Sequence, residues 1–401
     1  MIRMPSALAA GLALLASVAM AQAPPATAAQ QVPVAVTATQ TVPSSAPTPT
    51  PAAPTAAAPA PTPAAPTAAA PAPAPTPTPP AAVPDTDIFV ADLDLAAGTA
   101  RAPRNITARP GYDNQPAWLA DGSELLYVVR DDSGSTDVWR IDVASGQRTQ
   151  VTATPAAEYS PTPLADDSGF SAVRVDAPHA EGEPFTESQR LFKYGFDGKA
   201  IGPVFADIRR VGYHAWIDAT HVVLFLVGNA DAKVANSLVL ATLPEGRVTA
   251  LAKDIGRSLG RAPDGRVVFV DQSVADAWTV ATIAPGDTAP TVLIAVPRSE
   301  TDAKKTDATA KKDAKPGTDA KAKSDAPPVD QSQDFCWLAD GTLLMANGNR
   351  LLRWNGKTGS TWATLGEFAR LPGPIRRLAV SRDGTRVAFV VEMPAAPKTG
   401  G

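Results

Sequence analysis

One short pattern recurs along this chain and constrains it more than anything else: a brief strand, a tight turn built on Asp-Gly or a near equivalent, and an apolar returning strand. It is clearest in Asn114-Gln115-Pro116-Ala117-Trp118-Leu119-Ala120-Asp121-Gly122-Ser123-Glu124-Leu125-Leu126-Tyr127. Asp-Gly between two such runs is a strong hairpin signal, because glycine accepts the positive φ of the turn without cost. Further copies surround Leu164-Ala165-Asp166-Asp167, Trp216-Ile217-Asp218-Ala219, Ala262-Pro263-Asp264-Gly265, Trp337-Leu338-Ala339-Asp340-Gly341 and Val380-Ser381-Arg382-Asp383-Gly384. The equivalent positions Trp118, Leu164, Trp216, Ala262, Trp337 and Val380 lie 46, 52, 46, 75 and 43 residues apart. Leaving out the 35 residues Ser299 to Gln333, a run of mixed Lys, Asp and Ala, brings the longest interval to 40. All five intervals then match the length of a four-stranded blade, so the expected fold class is all-β: a six-bladed β-propeller.

The third and fourth strands of a unit follow its hairpin, as in Asp137-Val138-Trp139-Arg140-Ile141-Asp142 and Gln147-Arg148-Thr149-Gln150-Val151. The last hairpin ends near Val391 with too little chain left for outer strands. Asp87-Ile88-Phe89-Val90, which echoes Asp137-Val138-Trp139-Arg140, is expected to supply one and to close the ring by pairing the two ends.

The remainder of the chain reads differently. Residues 1–21 carry one charge, Arg3, an apolar run from Ala7 to Val18 and the small residues Ala19 and Ala21, the pattern of a signal peptide cleaved after Ala21. The run is shorter than the roughly 20 residues of a spanning helix, so no transmembrane segment is expected in the mature chain. Residues 22–84 are almost wholly Pro, Ala, Thr, Ser, Val and Gln, which predicts an extended, disordered tether. The domain is thus expected over 85–393, with a disordered insertion at 299–333 and a disordered tail at 394–401. The single cysteine, Cys336, between Phe335 and Trp337, reads as core. A formal charge of -4 offers no broad basic surface for nucleic acid.

The chain resembles the TolB-like family of WD40-like (PD40 repeat) propellers. The residues that carry the resemblance are Tyr112 to Trp118 with Asp121-Gly122, the strand Asp137 to Asp142, and Glu158-Tyr159-Ser160-Pro161. It covers about Asp85 to Val391 and implies a fold rather than an activity. In the namesake a separate α/β domain precedes the propeller and takes part in its work with the Tol and Pal proteins. Here the Pro/Ala tether stands in that place, so that partnership is not carried over.

In a propeller the first strand of each blade lines a central channel. The residues at the start of these strands give the candidate ligand-binding mouth: Asp113, Asn114, Glu158, Tyr159, Tyr213, His214, Arg257, Asp334 and Arg376. The expected occupant is a cell-envelope protein or peptide, or a small polar ligand, bound by an exported monomer without a cofactor. The alternatives are an enzyme, lactonase-like or lyase-like, whose divalent cation is held by Asp113, Glu158 and Asp334 with His214 as base, and a propeller that partners a separate hydrolase. His214 equally suits a hydrogen-bonded bridge between blades. Gly256-Arg257-Ser258-Leu259-Gly260 matches the G-x-S-x-G nucleophile elbow, but a hairpin follows it at once, so it reads as strand.

Overall fold

A computed structural model describes residues 84–131, 134–176, 185–229, 232–275, 277–298, 332–338, 340–357 and 359–394. The expected signal peptide and nearly all of the tether, most of the 299–333 insertion, and the tail from 395 onward lie outside the described residues. Ser332 and Gln333, placed in the insertion by their composition, are described. Ser332 is buried, and the Gln333 side-chain oxygen accepts the Arg257 N–H at 3.0 Å.

Described regular structure is all strand apart from one 3-10 turn at Phe185–Ser188. The N-terminal strand β1 (Thr86–Asp94) is followed by two short ones, β2 (Thr99–Ala100) and β3 (Arg104–Asn105), both paired with it. Next come β4 (Tyr112–Trp118), β5 (Glu124–Arg130), β6 (Thr136–Asp142) and β7 (Arg148–Gln150), a simple antiparallel meander.

Four separate four-stranded meanders follow. They are β8 (Ala157–Pro163) to β11 (Ala200–Pro203) through β9 (Phe170–Val175) and β10 (Gln189–Tyr194), then β12 (Val211–Trp216), β13 (His221–Leu226), β14 (Ser237–Thr242) and β15 (Arg247–Lys253). The next is β16 (Ile255–Arg261), β17 (Val267–Asp271), β18 (Thr279–Ile283) and β19 (Thr291–Ala295), and the last β20 (Phe335–Trp337), β21 (Leu343–Asn347), β22 (Arg350–Trp354) and β23 (Ala363–Glu367).

The final hairpin, β24 (Ile375–Val380) and β25 (Arg386–Glu392), is completed by β1, which pairs antiparallel with β25 from Thr86↔Glu392 to Asp92↔Arg386. A single parallel pair, Thr86↔Tyr112, joins this sheet to β4 and makes a nine-stranded sheet. Divided at that pair, the described strands fall into six sheets. Their first strands touch in a closed cycle: β4 meets β8, then β12, β16, β20 and β24, and β24 returns to β4.

The sequence sets each part of this unit. At the hairpin turns Asp121, Asp166, Asp218, Asp264, Asp340 and Asp383 each accept the backbone N–H two residues on, at 2.8 to 3.1 Å. That local bond fixes the turn. Gly122, Gly265, Gly341 and Gly384 supply the left-handed residue after it, with φ between 70 and 89°.

The second strands are continuous apolar runs because both of their faces are buried. In β5, Leu125, Tyr127 and Val129 face one core cluster with Ile88 and Val90 of β1, while Leu126 faces another with Phe170 and Tyr194. Alternate residues of a strand point to opposite faces, so each second strand feeds two clusters. Among the described residues six such clusters lie between neighbouring sheets. The sheets stack around a ring instead of enclosing one central core.

Candidate functional site

The first strands are not regular. Register shifts interrupt their pairing between Asn114 and Ala117, Tyr159 and Thr162, Val211 and Tyr213, Ile255 and Leu259, and Arg376 and Ala379. In three of these bulges one non-glycine residue takes a left-handed backbone: Gln115 (φ 55°), Ser160 (φ 53°) and Arg377 (φ 55°). Each such residue costs on the order of 1–3 kcal/mol. A bulge re-aims a side chain, and these three line a cavity of about 190 Å³ together with Tyr213, Arg257 and Asp334. Five of the six first strands therefore contribute one of these residues, and Asp334 stands immediately before the sixth, β20. Gln115, Ser160, Tyr213 and Arg377 each stand three residues before the end of their strand, Asp334 stands three residues before the end of β20 and just outside it, and β16 supplies Arg257 and Ser258 at that level.

Polar groups around the cavity are largely fixed by one another. Arg257 forks onto Asp334, Nη2 to Oδ2 at 2.6 Å and Nε to Oδ1 at 3.1 Å, and the Asp334 side chain is 2 % exposed. Burial alone would raise its carboxyl, but Arg257 and then Arg377 outweigh that and hold it below the usual carboxylate range. Removing one partner of a pair this buried costs roughly 3–5 kcal/mol. Arg377 lays its guanidinium 5.0 Å from the centre of the Tyr213 ring and donates from Nη2 to the Tyr213 hydroxyl at 3.0 Å. Tyr213 is braced from behind by Phe225, edge to face at 5.5 Å. Burial pushes the Tyr112 hydroxyl up to about 12, against the opposing charges of Arg377 and Arg257 and with Tyr213 and Tyr159 close by. Tyrosines and arginines thus gather around this end of the channel.

Of the residues that the sequence singles out, Tyr213, His214, Arg257 and Asp334 line the cavity. Asp113, Asn114, Glu158, Tyr159 and Arg376 are not among its lining. Asp113 is fully buried and bonds Arg109 at 2.6 Å, and Glu158 is fully buried against Thr154 (2.6 Å), Thr152 (3.1 Å) and the Tyr194 hydroxyl (3.3 Å). The two carboxylates occupy equivalent places in two matching networks. One runs Asp87, Thr107, Arg109, Asp113; the other runs Asp137, Thr152, Thr154, Glu158. In each, the third strand of one sheet is tied to the first strand of the next. Asn114 caps the bulge by accepting the Gln115 N–H at 2.9 Å, and Tyr159 packs against the cluster of Val173 and Leu191. Arg376 precedes the residue that enters the cavity.

His214 bridges two sheets: its Nε2 lies 2.7 Å from Ser171 Oγ of β9, which also accepts the Trp216 indole N–H at 2.9 Å. Burial drives its pKa down to about 3, so the ring is neutral near pH 7. The three carboxylates considered for a divalent cation, and His214 considered as base, are held by four different sets of partners, and no cluster of three metal-ligating side chains occurs among the described residues. Ser258 of the G-x-S-x-G match lies within β16, with its hydroxyl 3.4 Å from Asp334 Oδ1, while Nε2 of His214 is engaged by Ser171. Burial raises the Cys336 thiol far above its ordinary value, in keeping with a core residue.

No protein-family model matches the chain, and no curated protein matches it. Among solved structures, a protein assigned as TolB from Agrobacterium tumefaciens superimposes with a TM-score of 0.51 at 12% identity, over 78% of this chain and 100% of that one. The fold is a TolB-like β-propeller. TolB from Acinetobacter baumannii gives a TM-score of 0.42 at 12% identity over 77% of this chain and 64% of that one. A gluconolactonase from Xanthomonas campestris gives 0.46 at 13% identity over 77% and 96%. At such identity a TolB-like propeller shares an architecture, and its function has to be read from its own site. No helix among the described residues is long and apolar enough to cross a membrane.

Proposed function

We propose that this chain is an exported binding protein of the cell envelope, a six-bladed propeller that holds a peptide, a protein loop or a small polar ligand in the mouth of its channel. The observation that carries this reading is the lining: six first strands each present a polar or aromatic side chain to one cavity, and three do so from strained bulges. Strain of this kind tends to be kept where it positions groups for function. Tyrosine and arginine, the residue types gathered here, are those that most often dominate binding energy at interfaces. The charged groups at the cavity engage each other or a tyrosine, which suits recognition better than proton transfer. Export is supported by the leader at residues 1–21, with its apolar run and small residues before the expected cut.

Native mass spectrometry of the full chain, recovered gently from the envelope of the producing cell, tests the binding role. The expected spectrum contains a stoichiometric complex, with a small molecule or a protein, that the pair Tyr213→Ala and Arg377→Ala removes. A complex that survives both substitutions, or a bare protein mass in the unsubstituted chain, overturns the reading.

A further inference from the structure

The cavity is not electrically balanced. Its lining holds two guanidinium groups, Arg257 and Arg377, and one carboxylate, Asp334. Arg257 commits both arms of its fork to Asp334, whereas the Arg377 guanidinium lies over the Tyr213 ring, donates to the Tyr213 hydroxyl and reaches Asp334 through its charge. One positive charge is left over in a partly buried site, where Coulomb interactions are stronger than in bulk water.

Two polar atoms of lining residues add to this. Ser160 Oγ and His214 Nδ1 are buried and have no hydrogen-bond partner among the described residues. Buried polar atoms are normally paired, and an unpaired one calls for a partner from outside the chain. Ser171 Oγ accepts the Trp216 N–H at 2.9 Å and lies 2.7 Å from His214 Nε2 and 3.3 Å from the Thr162 carbonyl oxygen. Of the two unpaired groups, the Ser160 hydroxyl can donate to an anion.

We infer that the cavity takes a single carboxylate on a short arm, bound by the Arg377 guanidinium with the Ser160 hydroxyl as a further donor. The inference rests on the channel mouth being the binding site, and it names the chemistry that this site reads. A cavity of about 190 Å³ has room for a side chain of glutamate size. Its excess of one positive charge matches a carboxylate better than a phosphate dianion. The carboxylate belongs either to an acidic residue of a protein or peptide, or to a free small acid.

Methyl NMR of the full chain, with labelled leucines, separates these cases. Leu259 and Leu378 line the cavity and report occupancy, and Leu125, in the core between sheets, reports that each variant is folded. The probes are the capped peptides acetyl-Gly-Glu-Gly-amide and acetyl-Gly-Gln-Gly-amide, and glutarate. The Glu peptide or glutarate is expected to shift the two channel methyls at concentrations at least tenfold below those that the Gln peptide needs. Tighter binding of the peptide identifies a protein source, and tighter binding of glutarate a free acid. Arg377→Gln should abolish the preference for the acid while Leu125 stays in place, and Arg377→Lys should restore part of it. Equal shifts by the Glu and Gln peptides sink the carboxylate inference and leave the channel as a peptide site. Silence from every probe at the channel methyls overturns the inference, whereas the survival of a bound complex in the double alanine variant, or its absence from the unsubstituted chain, overturns the wider binding role.

Discussion

Deleting Thr86–Asp94 from the full chain is expected to abolish its cooperative unfolding transition. Strand β1 lies nearest the N-terminus of the described residues, yet it pairs along seven residues with β25 and completes the last sheet. Its side chains feed both neighbouring cores: Ile88 and Val90 enter one cluster with Leu125 and Tyr127, and Phe89 and Leu93 enter another with Leu344 and Phe389. Phe89 stacks on Phe389 at 6.1 Å, and Phe389 on Phe368 at 6.0 Å.

Burying four such apolar side chains contributes roughly 6–12 kcal/mol at about 1.5–3 kcal/mol each, as much as the whole net stability of a typical domain. The deletion also exposes the hydrogen-bonding edge of β25. Phe89→Ala is the milder companion, expected to cost about 3–5 kcal/mol while leaving the ring closed. Calorimetry checks both variants. A deletion variant that melts with the transition of the intact chain would show that β1 does not hold the ring together.

The second large effect is a dependence on pH. Asp113 has one oxygen on Arg109, while its other oxygen, Oδ2, is buried without a partner. Burial raises its pKa to about 6; the hydrogen bond and charge of Arg109 oppose this, and the charge of Asp87 adds to it. Burial also raises Asp137 and Glu158 in the matching network. A carboxyl with a raised folded-state pKa contributes stability that is full below the unfolded value near 3.8 and is lost as pH rises through the folded value near 6.

Asp113 alone should therefore make the protein on the order of 2 kcal/mol less stable at pH 8 than at pH 4, since one pKa unit is worth about 1.4 kcal/mol. Asp113→Asn removes this titration and keeps the shape. Denaturant unfolding of both proteins at the two pH values should show the gap between them shifting by that amount, with the variant gaining on the parent as pH rises. An unchanged gap would mean that Asp113 ionises in the folded protein as it does in the unfolded chain.

The sheet architecture was legible because the repeat states it at several levels. Asp at the turn, Gly after it, and an apolar second strand such as Leu125 to Val129 all mark the same unit, and Asp87-Ile88-Phe89-Val90 reads as a misplaced third strand because it resembles Asp137 to Arg140. The cavity was only half legible. Tyr213, His214, Arg257 and Asp334 were found by their place at the start of a strand.

Gln115 was passed over, and Tyr159 and Arg376 were preferred to their neighbours Ser160 and Arg377, because a bulge inserts a residue and reverses which side chain points inward. Nothing in the identity of a glutamine, a serine or an arginine signals a left-handed backbone, as a glycine would. Asp113 and Glu158 drew attention as acids in a ring, but their partners Thr107, Arg109, Thr152 and Thr154 recur with them. That periodic pairing marks them as part of the seam between sheets. Counting back from Trp118, Trp216 and Trp337 by three residues is the one sequence signal that would have reached Gln115 along with Tyr213 and Asp334.

Site-specific photo-crosslinking in the living cell tests most directly whether binding takes place at the channel mouth. A photoreactive phenylalanine analogue replaces Tyr112, whose neighbours are Tyr213, Tyr159, Arg377 and Arg257, and in a second strain it replaces Val248 on the exposed strand β15. The account predicts a discrete cross-linked species from position 112 that is absent from position 248 and is lost when Arg377→Gln is added. The same species from both positions, or its persistence with Arg377→Gln, would contradict it.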